Sequence, residues 1–439
     1  MIDSLLKPFQ RFGVHLGLER IQRLLGNLGN PHHQVPVVHV AGTNGKGSVC
    51  AYLSSVLTEA GYRTGRYISP HLVDWTERIC LNEQQISSDK LRELILEVQA
   101  AINTNEESPT QFEVITAAAW LYFAQQKVDI AVIEVGLGGR LDATNICENP
   151  LVTVITSISR EHWQQLGPTV ADIAREKAGI IKPGCPAVIG PLPPEAEKVV
   201  WERIQELQCP AITPKSACEI SPGWAEYTSH FPHPPLSPSP PHPLPTSHSP
   251  LPTLKYPLPL AGQIQLMNSA TSIATLEILK NAGWEKITEE AIVNGMAKTK
   301  WPGRMQWVSW KERKLLIDGA HNPAAAKVLR NYVDTLVQTP SPRSVNWVMG
   351  MLSTKDHADV FKFLLRPLDK LYLVPVSDHS SAKPEELAKL AQEICPGLSY
   401  CNTYTDLSLA LEAAFDSTDN LVVLCGSLYL VGSFLGSGE

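Results

Sequence analysis

The stretch "HVAGTNGKGSV", His39 to Val49, sets three glycines, a lysine and a serine in the pattern of a phosphate-binding loop. Gly42, Gly45 and Gly47 let backbone N–H groups come close to an anion, and Lys46 adds a point charge for the β and γ phosphates of a nucleotide. The common form of such a loop puts Ser or Thr directly after the lysine, as a Mg2+ ligand. Here Gly47 follows Lys46, and Ser48 comes one position late. A metal-dependent nucleotide enzyme built on this loop must find its hydroxyl elsewhere.

Other stretches offer the missing groups. "RYISPHL" supplies Ser69 just after a strand-like segment. A strand beside the first would bring its C-terminal end to the phosphates, where ligands of open sheets collect. In "AVIEVGLGGRLDATN", Glu134 ends an apolar strand, the expected place for a metal-binding carboxylate beyond a phosphate loop. The loop from Gly136 to Asn145 follows, with bends at Gly138 and Gly139 that suit closure over a substrate. "SISREHWQQLGPTVADIAREKAGIIKPG" adds His162 as a second metal-ligand candidate. Lys177 sits near the end of a helix closed by Gly179, and by composition alone it reads as a surface lysine. Farther on, Arg304 follows a Pro302-Gly303 hinge, and "IDGAHNP" sets Asp318 and His321 at a strand end. Those three are placed to contact a nucleotide from the far side of a cleft. Singly, each residue also has an ordinary reading as a turn serine, a capping glutamate or a polar histidine; their weight lies in occurring together.

The elements that must position them read as strands alternating with helices. "VPVVHVAG" is a short β-branched run, and "SVCAYLSSVLTEAGY" has helical spacing ending at Gly61. The phosphate loop therefore lies between strand and helix, where a helix N-terminus favours anions. "VDIAVIEVG" and "LVTVITSI" read as buried parallel strands, and "TQFEVITAAAWLYFAQQ" and "MNSATSIATLEILKNAG" as helices. From about residue 304 the alternation restarts, through "KLLIDGAHNPAAAKVLRNYV", "SVNWVMGML", "KLYLVPVS" and "LVVLCGSLYLVG". The expected class is α/β: a doubly wound P-loop domain over 1–300 and a smaller α/β domain over 304–439. A Pro-rich insertion at about 228–255 interrupts the first, with ten prolines in the 21 residues 232–252. Proline cannot donate to a ladder, so this is read as a tolerated surface loop rather than a signalling-domain ligand. Its histidines, His230, His233, His242 and His248, offer no fixed geometry for a metal.

The totals narrow the partners. The chain has 439 residues, 44% of them hydrophobic, and a net charge of −7. That balance argues against nucleic-acid binding, which shows a basic surface, but leaves room for an anionic small substrate held by a few local cations. Nine scattered cysteines with no C-x-x-C pair imply reduced thiols in the cytoplasm. "MIDSLLKPFQRFG" shows no secretory h-region, and no apolar run approaches the ~20 residues of a membrane span. No guanine-reading N-K-x-D motif is present, which disfavours a GTP switch.

Taken in order, "FGVHLGLERIQRLLGNLGNP", "HVAGTNGKGS", "YISPHL", "TQFE", "EVGLGGRLDATN", "LGPTVADIAREKAGIIKPG", "WPGRMQ", "DGAHNPAAA" and "GSLYLVGS" resemble the folylpolyglutamate synthase/dihydrofolate synthase family, a branch of the Mur ligase superfamily. The resemblance spans nearly the whole chain outside the Pro-rich insertion. It implies a cytoplasmic, monomeric enzyme of folate and one-carbon metabolism that uses ATP to join L-glutamate to a folate substrate through an acyl phosphate. Dihydropteroate, tetrahydrofolate or both would serve, and the rival within the same chemistry is a Mur-type ligase of a cell-wall precursor. It further implies that Ser69, Glu134 and His162 hold Mg2+ at two sites. Lys177 would be carbamylated by CO2 into a further metal ligand. ATP would be bound by the loop residues Gly42, Thr43, Asn44, Gly45, Lys46, Gly47 and Ser48, with Asn268, Arg304, Asp318 and His321. Val14, His15, Leu16, Thr110, Gln111 and Leu141 would lie near the pterin. Catalysis would fall to Lys46, Glu134, His162 and Lys177. Two positions depart from the family pattern: Glu161 stands where Asp usually precedes the metal histidine, and Ile264 where His usually precedes Gln265.

Overall fold

The computed structural model describes residues 2–10, 15–229, 251–337, 344–377, 380–416 and 420–437. The chain divides into two compact units. The first comprises residues 1–69, 78–259 and 265–299; the second comprises 70–77, 260–264 and 300–439.

Among the described residues the first unit holds an eight-stranded sheet and a small three-stranded one. The large sheet contains β1 (Val37–Ala41), β2 (Thr64–Tyr67), β3 (Ile79–Leu81), β4 (Gln84–Gln85), β5 (Ile130–Glu134), β6 (Val152–Ile155), β7 (Ala187–Ile189) and β8 (Ala211–Ile212). Its order is β4-β3-β2-β5-β1-β6-β7-β8, parallel except at the β3 and β4 edge. β1, β5 and β6 are buried along their whole length, as near-continuous apolar runs in a doubly covered parallel sheet should be. The neighbour of β1 is β5, not β2: the chain crosses past β1's flank to lay down β2, then returns through the helix Gln111–Gln125 to fill the gap. β5 is apolar up to Glu134 and buried at every position, which suits the centre of the sheet.

The register then does the positioning. Val40 of β1 stands beside Glu134 of β5, Ile133 of β5 beside Tyr67 of β2, and Ala41 beside Ile155 of β6. The C-terminal ends of four parallel strands are thus level. The strand order also reverses about β1, which makes this edge the switch point where ligands bind.

The three-stranded antiparallel sheet consists of β9 (Cys218–Ser221), β10 (Trp224–Thr228) and β11 (Thr253–Pro257). Thr228 pairs with Thr253, and Ser229 N–H donates to Pro252 O (2.8 Å). The Pro-rich stretch therefore leaves and re-enters the fold between paired strands. Its residues 230–250, with the four histidines, lie outside the described residues, as does Val14.

Among the described residues the second unit is built on a six-stranded sheet: β12 (Gln306–Trp310), β13 (Arg313–Ile317), β14 (Val345–Met349), β15 (Lys370–Leu373), β16 (Tyr400–Thr403) and β17 (Leu421–Cys425), in the order β12-β13-β17-β14-β15-β16. It opens on an antiparallel hairpin before the βα alternation begins. Leu72 shows why residues 70–77 belong here: a Cβ on Gly432 would fall 1.9 Å from the Leu72 carbonyl, so only glycine admits this approach. Asp369 is 2% exposed and accepts hydrogen bonds from Arg330 Nη1 (2.6 Å), Trp347 Nε1 (3.0 Å) and the Val345 and Arg366 N–H groups (3.1 and 3.0 Å). All nine cysteines are free thiols. Among the described residues no helix is long and apolar enough to cross a membrane.

Candidate active site

The phosphate loop leaves β1 and enters the helix Lys46–Glu59. Gly45 takes φ +89°, a left-handed conformation that glycine adopts without steric cost, and a Cβ there would lie 2.6 Å from Asn268 Oδ1. The segment after β6 fixes the loop from one side. Thr43 N–H donates to Ser157 O (2.7 Å), and the Thr156 and Ser157 hydroxyls donate to Asn44 O (2.7 and 2.9 Å). From the other side, Asn268 Nδ2 donates to Gln265 Oε1 (3.0 Å), and Gln265 Nε2 donates to Ser48 Oγ (3.3 Å). The helix Ile264–Asn281 thus brings Asn268 and Gln265 to the loop. Ser48, the late hydroxyl, is buried in the helix and engaged with Gln265.

Lys46 Nζ donates to Gly42 O (3.0 Å) and Thr43 O (3.2 Å) and lies 3.9 Å from Glu134 Oε1. Glu134 Oε2 accepts the Ser69 N–H (3.3 Å), and Ser69 Oγ accepts from Arg78 Nη1 (3.3 Å). Ser69 follows β2 by two residues, so the level strand ends bring it to Glu134 across the sheet. This much of the sequence expectation is assembled: loop, lysine, carboxylate and a serine from outside the loop.

Lys177 is not on the surface. It is 6% exposed, and its Nζ donates to Gly42 O (2.8 Å), the same carbonyl that Lys46 reaches. Burial, and next the Lys46 charge, hold its amine down to about 7 against a partial counterweight from Glu161 and Asp142. The helix Val170–Ala178 buries Ile173, Ala174, Lys177 and Ala178. That i, i+1, i+4, i+5 pattern is legible in the sequence and would have placed Lys177 on the inner face. The Gly-rich loop locks against the end of this helix. Arg140 N–H donates to Glu176 O (2.7 Å), and Asn145 Nδ2 donates to Arg140 O and Gly179 O (3.0 and 3.1 Å). A Cβ on Gly139 would sit 2.7 Å from Glu176 O, which is why a glycine stands there.

His162 precedes the short helix Trp163–Leu166 with φ +51°, a strained left-handed conformation for a histidine. Its Nε2 lies 3.9 Å from Glu161 Oε1, and its side chain is partly exposed. Among the described residues no group of three or more His, Cys, Asp and Glu side chains is placed to hold a metal ion. Of the expected metal ligands, the structure joins Ser69 to Glu134.

A cavity of about 310 Å³ opens in the same unit, lined among others by Ser69, His15, Leu16, Thr110, Gln111 and Leu141. Five of the six residues expected near a pterin therefore line one cavity. Thr110 also has a structural task. With Glu113 it forms the capping box of the helix Gln111–Gln125. Glu113 is buried and binds Arg20 Nε through both oxygens (3.1 Å each), and Arg20 Nη2 donates to His15 O (2.8 Å). This ties the N-terminal segment to the cavity. Sequence reasoning missed Asp142, which lines the cavity and accepts from Leu137 N–H (2.7 Å), Thr144 N–H (3.0 Å) and Thr144 Oγ1 (2.6 Å). Burial pushes its carboxyl up and these donors pull it back down. Asp with Thr two residues on, in a Gly-rich loop, was the available signal.

Arg304, Asp318 and His321 gather within the second unit. Asp318 is buried and accepts from Met305 N–H (2.9 Å) and Ala320 N–H (2.7 Å); His321 Nδ1 lies 2.8 Å from Gly319 O. Burial raises the Asp318 carboxyl, and the Arg304 charge opposes that.

Comparison with known proteins gives concordant matches. The family model for the dihydrofolate synthetase C-terminal domain matches residues 304–437, and that for the Mur ligase middle domain matches residues 40–191. The dihydrofolate synthase/folylpolyglutamate synthase of Bacillus subtilis is 33% identical over 431 residues, covering 96% of this chain and 94% of the relative. The structure of E. coli FolC in complex with DHPP and ADP superposes with a TM-score of 0.79 at 32% identity, covering 99% of this chain and 96% of that one. A crystal structure of a bifunctional folylpolyglutamate synthase/dihydrofolate synthase with Mn, AMPPNP and L-glutamate bound gives a TM-score of 0.80 at 30% identity, covering 99% and 97%.

Proposed function

The chain belongs to the dihydrofolate synthase/folylpolyglutamate synthase family, an ATP-dependent ligase joining L-glutamate to a folate substrate, and from that premise we propose how its residues divide the work. One observation carries the proposal. Ser69 lines the cavity and bonds to Glu134, which in turn lies beside Lys46, so one side chain of the cavity leads through a carboxylate to the lysine of the phosphate loop inside one unit.

The cavity takes the pterin end of the folate, with His15, Leu16, Thr110, Gln111 and Leu141 among its lining. The loop Gly42–Ser48 and Asn268 take ATP, and Arg304, Asp318 and His321 contribute to nucleotide binding. A carboxylate is unreactive toward an amine because oxide is a poor leaving group. The substrate carboxylate oxygen therefore attacks the γ-phosphorus, the bond to the bridging oxygen breaks, and ADP departs. The glutamate amine then attacks the acyl carbon of the acyl phosphate. Phosphate leaves and the amine gives up its proton. Lys46 and the loop amides offset charge on the transferring phosphoryl group from fixed positions. Mg2+ at two sites, when bound, supplies further neutralisation of phosphate charge. Ser69, Glu134, His162 and Lys177 are the residues that would hold it, Lys177 after reaction of its neutral amine with CO2 to give a carbamate and a proton.

Residues 1–300 act as the ATP-binding domain and 304–439 as the glutamate-ligase domain. The protein works as a cytoplasmic monomer. Both additions, to dihydropteroate and to tetrahydrofolate, are proposed. The test is a paired product assay by mass spectrometry with Mg-ATP, L-glutamate and either substrate. A gain of one glutamate on each supports both reactions. A gain on tetrahydrofolate alone restricts the enzyme to chain extension. Ligation to a nucleotide-sugar precursor instead would overturn the folate assignment in favour of the Mur-type one.

A further inference from the structure

Behind the cavity runs a buried chain of polar groups that the ligation chemistry does not use. His39 is fully buried in β1, the strand that feeds the phosphate loop. Its Nε2 lies 2.9 Å from Thr144 Oγ1 and its Nδ1 lies 3.5 Å from Cys147 Sγ. Thr144 Oγ1 stands 2.6 Å from Asp142 Oδ1, and Asp142 lines the cavity.

The protons in this chain can be ordered. The groups bonded to Asp142 are donors: the Leu137 and Thr144 N–H groups and the Thr144 hydroxyl. Asp142 is therefore an acceptor, and the Thr144 hydrogen points to it. With that hydrogen spent, Thr144 Oγ1 must accept from His39, so the imidazole carries its proton on Nε2. Nδ1 is left as an acceptor facing the Cys147 thiol. Burial holds the His39 imidazole down to about 3 and pushes the Cys147 thiol up to about 12, so both stay neutral. The thiol has Thr144 O as a second acceptor at 3.5 Å, but from Asp142 to His39 each donor and acceptor is assigned, and that part of the chain has one low-energy arrangement.

We propose that His39 is a positioning residue for the folate substrate: its Nε2–H fixes the Thr144 hydroxyl, which fixes Asp142 and with it the cavity wall 136–143. The inference rests on the reading of this cavity as the pterin site. It separates two services of β1, since the strand's end serves ATP while its buried imidazole serves the other substrate.

The test is steady-state kinetics on wild type, His39→Leu, His39→Gln and Thr144→Val, varying the folate substrate and ATP in turn, with thermal melts on each. His39→Leu and Thr144→Val are expected to raise the folate KM roughly tenfold, the scale of one hydrogen bond, with the ATP KM within about twofold of wild type. His39→Gln, whose amide N–H can stand in for Nε2–H, is expected to recover most of the loss. The double variant His39→Leu/Thr144→Val should be no worse than either alone, because both break the same chain. Equal rises in both KM values, or a glutamine variant no better than leucine, would overturn the inference. Thr144→Val keeps it testable if His39→Leu does not fold. A wild-type chain inert with every folate substrate would instead overturn the functional reading, and this inference with it.

Discussion

Replacing Lys177 with methionine should abolish ligation and stabilise the protein. Methionine has nearly the same length and carries no charge. Burial and the neighbouring Lys46 hold the Lys177 amine down from its ordinary 10.5 to about 7. At about 1.4 kcal/mol per pH unit, the charged amine costs the folded state at most roughly 5 kcal/mol. The substitution also loses the Nζ hydrogen bond to Gly42 O, worth about 1 kcal/mol, but that carbonyl keeps its bond from Lys46. A net gain of about 2–4 kcal/mol at pH 6 follows. The unfolded chain binds more protons than the folded one between about pH 7 and the ordinary lysine value. Wild-type stability therefore rises through that window, and the methionine variant's advantage is full below it and fades toward pH 10. The assay is urea denaturation at pH 6, 8 and 10 in metal-free, CO2-depleted buffer, beside a ligation assay. Adding bicarbonate with Mg2+ should then stabilise the wild type alone, since only it can form the carbamate. A variant less stable than wild type at pH 6, or an advantage unchanged at pH 10, would refute the electrostatic argument. An equal response of both proteins to bicarbonate would refute the carbamate.

Glu134→Gln keeps the shape of the carboxylate and removes its charge, so kcat should fall roughly 10²–10³-fold and the Mg2+ needed for half-maximal rate should rise, read by metal titration. Asp369→Ala strands the buried Arg330 guanidinium and the Trp347 N–H, and should cost about 3–5 kcal/mol in the urea unfolding of the second unit. Replacing residues 230–251 by Asn-Gly would join Ser229 to Pro252 by a two-residue hairpin turn between strands already in register, and ligation should survive within about twofold.

The strand–loop–helix setting of the phosphate loop was legible because apolar runs and glycines report local geometry directly. The helices at Gln111–Gln125 and Ile264–Asn281 follow their sequence patterns for the same reason. Composition alone reads Lys177 as a surface residue, because it says nothing of which helical face is covered, and only the family resemblance set that reading aside. Counting its phase against Ile173 and Ala174 would have corrected that. The place of β5 between β2 and β1 had no local signal, since nothing within a strand names its neighbour.

Residue type and order alone carry the chemical inventory: a phosphate loop lacking its usual hydroxyl, a carboxylate at a strand end, and the spacing that marks the family. These are properties of residue type and order, and they survive without coordinates. It took the fold to show that Ser69 meets Glu134, that Lys177 and Lys46 share the Gly42 carbonyl, and that His39 reaches Asp142 through Thr144. Those pairs lie far apart along the chain or owe their chemistry to burial. Sheet register and desolvation, which are set by the whole fold, bring them together and set their charge.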